Sequence, residues 1–256
     1  MTHPPQVPSG WVLDAHDSLD STSEEAKRLA ANGAPGRMVV WSREQTAGRG
    51  RHGRSWTSPR GNLYLSVLLR PQCTAREAPQ VGFVVGAAMA RAVRECTGVE
   101  AVLKWPNDLL VAGRKLSGIL LDSADDGAGG VAWVIAGIGV NVAGHPAELP
   151  DATDLSACGA NVAVEELLEV FLASLAEHLD VWEREGFAAI RMRWAELALE
   201  PGTKLTVKLP RETVEGGFDG IDEAGNLLLA RNGETMRVSA GDVFPVTPGR
   251  RVNLGA

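Results

Sequence analysis

Apolar side chains recur every three to four residues in two long segments of the chain, residues 77–97 and 164–185. This spacing puts the apolar residues on one face of an α-helix, so both segments are predicted to be helices that pack on a core. A shorter helix is predicted over residues 22–31, because Ser21 precedes Glu24 with capping-box spacing.

Several short apolar segments are rich in strand-forming residues. In the first part of the chain they span residues 38–41, 62–69, 99–105, 109–111, 115–121 and 131–140. The last of these is apolar enough to be a central strand. After a fourth predicted helix at 187–199, closely spaced strands predict a small β-barrel. Those strands span residues 203–209, 213–221, 226–230, 234–238 and 242–246.

The pattern divides the chain into three expected parts. Residues 1–16 contain prolines and are expected to be an N-terminal extension. Residues 17–200 are expected to form the main domain, and residues 201–256 the small barrel and a tail. A length of 256 residues with 45% hydrophobic content is enough to bury a sizeable core in this arrangement.

Charge and cysteine content exclude several classes of protein. A formal net charge of −7 and a pI near 5.3 argue against a protein that coats nucleic acid or an anionic membrane, because both need a broad basic surface. The 3 cysteines form no CxxC pair, which argues against a disulfide framework or a thiolate zinc site. The longest nearly apolar run, residues 131–143, is too short to span a bilayer, so we expect a cytoplasmic protein.

Positive charge is concentrated in one segment of this acidic protein. Between Gln45 and Arg76 there are six arginines and no Asp or Glu, and residues 48–56 interleave three glycines with three arginines. Glycine permits close approach of backbone N–H groups, and arginine matches phosphate or carboxylate oxygens, so this Gly/Arg loop is predicted to bind an anion. It lacks the Gly-Lys-Ser/Thr ending of a P-loop. A solvated surface loop or an RNA-binding RGG-like sequence is the alternative for the loop alone.

Three further segments combine polar side chains with predicted strands. Residues 104–108, Lys-Trp-Pro-Asn-Asp, present a cation, an amide and a carboxylate at a strand end. Lys115 begins another strand after a turn, and Gly118 leaves room for a ligand near the backbone. Residues 137–141, Gly-Ile-Gly-Val-Asn, make room in the predicted central strand and end in an amide. Each segment alone also fits an ordinary turn, a strand-edge lysine or a strand bend.

In this order and spacing, the segments resemble those of the biotin protein ligases. The matching segments are residues 17–23, 48–56, 62–66, 104–108, 114–120 and 137–141. Residues 202–247 resemble the family's C-terminal barrel more weakly. The resemblance implies an α+β fold, with a mixed β-sheet flanked by helices in a class II synthetase-like catalytic domain and a small C-terminal SH3-like β-barrel.

The resemblance also implies an activity and a site. The activity is ATP-dependent activation of biotin to biotinyl-5′-AMP, followed by transfer to a lysine of the biotin carboxyl carrier domain of acetyl-CoA carboxylase or a related carboxylase. Lys115 and Arg51 are the implied catalytic residues. The implied biotin contacts are Ser21, Thr22, Ser23, Gln45, Gly48, Arg49, Lys115, Gly118 and Leu120. The implied contacts of ATP and the adenylate are Arg49, Arg51, Arg54, Trp56, Lys104, Asn107, Asp108, Lys115 and Asn141.

Mg²⁺ is expected from this reaction type, with Asp108 as the carboxylate that would help to hold it. Because the intermediate is a mixed anhydride that water would destroy, we expect the Gly/Arg loop to close over it as a lid. Larger members of the family carry an N-terminal DNA-binding domain. Only sixteen residues precede the matching Asp17-Ser18 segment here, so we expect no DNA partner and no repression. A monomer or a homodimer is expected, with no membrane partner.

Two other functions compete with this interpretation. A lipoate ligase or octanoyltransferase would need an apolar tunnel for its substrate and would leave the Trp-Pro-Asn-Asp sequence unexplained. An RNA-binding module could use the Gly/Arg loop and the C-terminal barrel. The acidic pI and the lack of paired exposed aromatic residues in the barrel segment count against that module.

Overall fold

Two β-sheets, four α-helices and one short 3-10 turn make up the regular structure of residues 5–246, the part of the chain that this computed structural model describes. The strands of the larger sheet are β1 (Val12–His16), β2 (Met38–Ser42), β3 (Leu63–Leu69), β4 (Val102–Lys104), β5 (Asp108–Val111), β6 (Arg114–Asp125) and β7 (Val131–Val140). The helices are α1 (Thr22–Ala31), α2 (Gln80–Thr97), α3 (Val164–Glu185) and α4 (Phe187–Glu196). The predicted tail and the first four residues of the predicted extension lie outside the described residues.

The larger sheet is mixed, with the strand order β1-β2-β3-β7-β6-β5-β4. Strands β1 and β2 are parallel, and the other neighbouring strands are antiparallel. Strand β7 lies in the middle of the sheet, as its apolar sequence predicted. The expected α+β fold with a mixed sheet and flanking helices is therefore confirmed.

Helices cover both faces of the larger sheet. Helices α2 and α3 pack on one face over alternate residues such as Val39, Val67 and Ala136. Helix α1 packs on the other face, where its alanines contact Val40 and Leu68. Because side chains alternate across a strand, consecutive apolar residues of β2 and β3 pack into the cores on opposite faces of the sheet.

Three element boundaries differ from the sequence prediction. Residues Val12–His16, expected to belong to an extension, form the edge strand β1. Helix α2 begins at Gln80 rather than at Glu77, because the Glu77 carboxylate accepts hydrogen bonds from the backbone N–H (2.9 Å) and hydroxyl (2.8 Å) of Thr74 and closes a turn there. The predicted strand 99–105 shortens to Val102–Lys104.

The start of helix α1 also differs in detail. The helix begins at Thr22 with Ser21 in the N-cap position, as the spacing predicted, but Ser21 makes no side-chain capping bond. The hydroxyls of the two following residues, Thr22 and Ser23, turn toward strand β3 instead. The capping-box spacing thus marked the correct start of the helix, but the side-chain hydrogen bonds at that start are those of Thr22 and Ser23 to Ser66.

The smaller sheet follows helix α4. Its strands are β8 (Lys204–Lys208), β9 (Thr213–Ile221), β10 (Leu227–Arg231), β11 (Glu234–Val238) and β12 (Asp242–Pro245). They are all antiparallel, in the order β11-β10-β9-β8-β12, so in residues 5–246 the sheet has two ends and does not close. Five strands at the predicted places are present, but a closed SH3-like barrel is not confirmed.

The two sheets are joined by aromatic packing and by hydrogen bonds. The Trp194 ring of α4 lies 5.5 Å from the Phe83 ring of α2 and 6.4 Å from the Phe218 ring of β9, between ring centroids. The Trp105 indole donates a hydrogen bond to the Gly225 carbonyl at 2.9 Å. The Lys104 Nζ atom at the end of β4 donates to the Val243 carbonyl of β12 at 2.8 Å, which places strand β12 beside the larger sheet. Among the described residues, no helix is both long and apolar enough to cross a membrane.

Candidate functional site

A cavity of about 370 Å³ lies on the α1 face of the larger sheet, between the Gly/Arg loop and strand β12. Most residues that the sequence singled out line it. They are Ser21, Thr22, Ser23, Gln45, Arg49, Arg51, Arg54, Trp56, Lys104, Asn107, Asp108, Lys115, Gly118 and Leu120. Two predicted residues, Gly48 and Asn141, do not line it. The structure thus brings segments far apart in sequence to one cavity.

The floor of the cavity is part of a row of aligned residues on neighbouring strands. From β2 to β4 the row runs Ser42, Tyr64, Gly139, Gly118, Asp108 and Lys104, and its last four members line the cavity. The middle of the row carries glycines because the Trp56 side chain lies directly above it. A Cβ at Gly139 would lie 2.5 Å from the Trp56 Nε1 atom, which no ordinary contact permits. The predicted role of glycine in making room in the central strand is thus visible in the geometry.

One end of this row carries a buried charge cluster. The Asp108 carboxylate lies 2.7 Å from the Lys104 Nζ atom and 2.5 Å from the Lys115 Nζ atom. Burial alone would raise the pKa of Asp108, but the two ammonium groups outweigh it and hold that pKa well below its ordinary range. Asp108 is therefore an anion that positions two lysines at the cavity. Lys115 is the more exposed of the two, with 36% of its side chain accessible.

Lys115 is held in place by a loop that follows strand β7. Its backbone N–H donates to the Asp151 carbonyl at 2.7 Å, and its carbonyl accepts from the Thr153 N–H at 2.8 Å. The Asn141 side chain donates to the Thr153 carbonyl at 2.9 Å and so supports the same loop. Asn141, which the resemblance placed against the nucleotide, is therefore engaged with this loop and lies outside the cavity lining.

Gly48 has a structural position in the Gly/Arg loop. Its carbonyl accepts a hydrogen bond from the Trp56 N–H at 2.9 Å, which closes the base of the loop. A Cβ at Gly48 would lie 2.4 Å from the Trp56 carbonyl oxygen and 2.6 Å from the Ser58 hydroxyl oxygen. The close approach of the two loop ends, rather than the cavity lining, accounts for glycine here.

The arginines of the loop are paired with carboxylates. Arg49 contacts Glu24 at 2.8 Å, and Arg54 contacts Asp242 at 2.6 Å. Arg51 donates to the Asn107 side-chain oxygen at 3.0 Å and lies 3.7 Å from Asp242. Burial of Asp242 tends to raise the pKa of its carboxyl group. The nearby side chains of Arg54, Arg51 and His52 outweigh this effect and hold that pKa below its ordinary value. Each arginine already faces oxygen atoms of the kind that an anionic ligand would present.

Asp242 was missed by the sequence prediction. It begins strand β12, and it is 188 residues away from Arg54 in the chain. The next residues of that strand also line the cavity, and the Lys104 Nζ atom donates to the Val243 carbonyl at 2.8 Å. An acidic residue at the start of a short strand gave no signal of this role, because only the packing of the two sheets places it there.

Neutral polar groups lie at the opposite end of the cavity. The Gln45 side-chain oxygen accepts from the Thr22 N–H at 2.9 Å, and the Gln45 amide nitrogen donates to the Ser58 hydroxyl at 2.9 Å. The Thr22 hydroxyl lies 2.8 Å from the hydroxyl of Ser66, a second residue that the sequence prediction missed. The cavity therefore joins a hydroxyl and amide end to a cationic end.

The described residues do not form a ready-made metal cluster. Among residues 5–246, no group of three or more His, Cys, Asp or Glu side chains could hold a metal ion. Asp108, the predicted Mg²⁺ ligand, has one oxygen against each of two lysine ammonium groups. In this structure Asp108 is therefore the counter-ion of the two lysines, and its part in holding Mg²⁺ beside the ATP phosphates stays a prediction.

Comparison with known proteins gives a consistent result across the chain. Residues 16–141 match the Biotin/lipoate A/B protein ligase family, and residues 205–244 match the Biotin protein ligase C terminal domain. The chain is 38% identical to the Biotin--[acetyl-CoA-carboxylase] ligase of Paracoccus denitrificans over 234 residues, which cover 88% of this chain and 97% of that protein.

Two further relatives agree. The chain is 35% identical to the Bifunctional ligase/repressor BirA of Bacillus subtilis (strain 168) over 242 residues, which cover 91% of this chain and 74% of that protein. A solved structure of the biotin protein ligase from Aquifex aeolicus in complex with biotin and ATP matches with a TM-score of 0.79 and 29% identity. That match covers 91% of this chain and 97% of the Aquifex chain.

Proposed function

Because this chain belongs to the biotin protein ligase family, we propose that it activates biotin with ATP to biotinyl-5′-AMP and then transfers the biotinyl group to a lysine of a carboxylase's carrier domain. One observation carries the proposal. A single cavity has neutral hydrogen-bonding groups at one end and cations at the other. Biotin has a neutral cyclic urea at one end and a carboxylate at the other, and ATP adds phosphates beside that carboxylate.

The urea ring of biotin fits the hydroxyl and amide end. A cyclic urea has two N–H donors and one carbonyl acceptor, so it needs partners of both kinds. Thr22 and Ser23 offer hydroxyls there, and Gln45 offers an amide. The aliphatic chain then runs over the glycine floor beside Trp56, toward Lys115. A lipoyl ring, which lacks N–H groups, would leave these polar groups without partners.

The cationic end fits the chemistry of adenylation. In that step the biotin carboxylate attacks the α-phosphate, so two anions are brought together and the charge on the departing pyrophosphate is neutralised. Lys115 would contact the carboxylate and the α-phosphate, because Asp108 holds the Lys115 ammonium group at the point where the aliphatic chain of biotin would end. Arg49, Arg51 and Arg54 would contact the nucleotide phosphates from the loop.

The loop arginines would exchange partners when the nucleotide binds. Their present carboxylate partners are Glu24 and Asp242, and the side chains of Arg49 and Arg54 are 57% and 64% exposed. Exposed ion pairs of this kind are worth only about 0–1 kcal/mol, so phosphate oxygens can displace them. The loop would then order over the adenylate and exclude water from the mixed anhydride.

Strand β12 gives the C-terminal sheet a part in the same site. Asp242 faces the loop arginines, and the Val243 carbonyl faces Lys104. We assign residues 12–200, which include strand β1, to the catalytic domain and residues 201–246 to a C-terminal domain of SH3-like barrel type that closes the nucleotide end. The partner is the biotin carrier domain of acetyl-CoA carboxylase or a related carboxylase, because relatives of this chain carry that name. Mg²⁺ would arrive with the ATP phosphates, since the described residues form no cluster of three or more metal-ligating side chains.

Biotin-dependent release of pyrophosphate tests the proposal directly. The purified protein is incubated with ATP-Mg²⁺ and biotin, lipoate or octanoate, and a carrier domain is then added with radiolabelled biotin. We expect release of pyrophosphate with biotin alone of the three acids, followed by label on the carrier lysine. Release that is faster with lipoate or octanoate, or no release with biotin, would show that the proposal is wrong.

A further inference from the structure

One residue beneath the neutral end of the cavity has no place in the proposed contacts. Ser66 lies on strand β3, is fully buried and does not line the cavity. Its neighbours on the same face, Val40 and Leu68, are apolar and pack under helix α1. A hydroxyl buried in such a place costs free energy unless it is hydrogen-bonded. Its Oγ atom lies 2.8 Å from the Thr22 hydroxyl and 3.0 Å from the Ser23 hydroxyl, both of which line the cavity.

The direction of these hydrogen bonds follows from the fixed orientation of the Gln45 amide. The Gln45 Oε1 atom accepts from the backbone N–H of Thr22 at 2.9 Å, so Oε1 and not the amide nitrogen faces Thr22. On its other side, the Ser58 hydroxyl donates its one proton to the Trp56 carbonyl at 2.9 Å. Ser58 therefore accepts from the Gln45 amide nitrogen at 2.9 Å. Two backbone groups thus settle which way the amide points.

The three hydroxyls then have one consistent arrangement. The Thr22 Oγ1 atom lies 3.2 Å from Gln45 Oε1, which can only accept, so Thr22 donates its proton there. Thr22 has no proton left for its contact with Ser66, so Ser66 donates to Thr22. Ser66 has then used its own proton, so Ser23 donates to Ser66. All three contacts are hydrogen bonds only in this arrangement, and it uses all three hydroxyl protons.

We propose that Ser66 is a positioning residue that sets the hydrogen-bond direction at the neutral end and so selects a ring with N–H donors. With their protons committed, Thr22 and Ser23 present only lone pairs to a ligand. Gln45 keeps one amide proton as a donor. Two acceptors and one donor match the two N–H groups and one carbonyl of a cyclic urea. The inference rests on the proposed use of biotin and names the residue that prepares its site.

The matched pair Ser66→Ala and Ser42→Ala tests this role. Ser42 lies on the adjacent strand β2 and is also fully buried. Its hydroxyl donates to the Glu44 carbonyl at 2.7 Å, and the residue does not line the cavity. Both variants lose one buried hydroxyl, so both should show a similar fall in melting temperature. Only S66A should bind biotin more weakly, by about tenfold in Kd measured by titration calorimetry. Its Kd for ATP should not change.

Kinetics and an analogue separate positioning from a general loss of structure. In pyrophosphate release, S66A should raise KM for biotin with little change in kcat, since the lost interaction binds the ring and not the reacting atoms. Ser66→Cys, which keeps a weak donor, should fall between the wild type and S66A. An analogue methylated at one ring nitrogen lacks one N–H donor, and the wild type should discriminate against it more strongly than S66A does.

The outcomes distinguish this inference from the proposed function. If the wild type binds biotin and a folded S66A binds it equally well, or if S42A loses as much affinity as S66A, Ser66 has no positioning role. If S66A does not fold, the same comparison is made with Ser66→Cys, and an unchanged Kd and an unchanged discrimination overturn the inference. If the wild type does not bind biotin at all, the proposed function itself falls, and this inference with it.

Discussion

Replacing Gly139 by alanine changes one contact in the floor of the cavity. The added Cβ would lie 2.5, 2.6 and 2.9 Å from three atoms of the Trp56 indole. Gly139 is fixed between strands β3 and β6 by its pairing with Tyr64 and Gly118, so the strand cannot retreat. The Trp56 ring must therefore move. An ordinary contact begins at 3.4 Å, so the ring has to rise by about 0.9 Å.

A shift of this size reaches the functional groups. Trp56 lies beside Lys115, whose Nζ atom is 5.4 Å from the centre of the indole ring, and it anchors the end of the Gly/Arg loop. A displacement of about 1 Å in a binding site costs up to about a hundredfold in rate. We expect Gly139→Ala to weaken biotin binding and to lower kcat/KM for pyrophosphate release by about ten- to a hundredfold.

The control is Gly144→Ala, since a Cβ at Gly144 would meet nothing within 4 Å. Titration calorimetry gives the Kd for biotin, and trypsin cleavage after the loop arginines reports how well the loop is docked. Gly139→Ala should be cleaved faster than the wild type, and Gly144→Ala at the same rate. The reasoning is refuted if Gly139→Ala binds biotin as tightly as Gly144→Ala does.

Three further predictions concern the charged groups. Lys115→Ala should slow biotin-dependent pyrophosphate release by about ten- to a hundredfold, because a charge-assisted hydrogen bond is worth about 1.5–3 kcal/mol. The control is Arg114→Ala, which should stay near the wild-type rate because Arg114 does not line the cavity. Asp242→Asn should raise trypsin cleavage of the unliganded loop by at most about fivefold, since exposed ion pairs contribute about 1 kcal/mol or less; an unchanged rate would contradict the pairing. Asp108→Asn should destabilise the fold by about 3–5 kcal/mol in urea unfolding at pH 7, because two lysines lose their buried counter-ion. Since the pKa of Asp108 is depressed in the folded state, its contribution is present above about pH 5 and is lost as pH falls, so the variant should lose less stability than the wild type on acidification.

Much of the architecture could be predicted because it is recorded in local patterns. The three- to four-residue apolar spacing predicted helix α3, and the continuous apolar run predicted strand β7, both with their observed bounds. Both patterns lie within the segment itself, because they reflect which of its own side chains are buried. Strand β1 was missed because its alternation is weak and its partner, β2, supplies the hydrogen bonds. An edge strand depends more on its neighbour than on its own residues.

The candidate site was predictable where residue type and local spacing carried the chemistry. Lys115 and the Gly/Arg loop stand out because cations and glycines are concentrated there in an otherwise acidic chain. Asn141 and Gly48 show the limit of that reasoning. Both have the right residue type, but one supports a neighbouring loop and the other closes the base of its own loop.

The sequence by itself determined the fold class, the anion-binding character of the loop and the resemblance to a ligase family. Only the tertiary structure decided that Asp108 lies between two lysines and that Asp242 meets the loop arginines from the C-terminal sheet. It also brought the Ser66 hydroxyl within hydrogen-bonding distance of the Thr22 and Ser23 hydroxyls. Local patterns are set by bonds along the chain, whereas the partner of a charge or a hydroxyl is set by whichever residue the packed fold brings within about 3 Å of it.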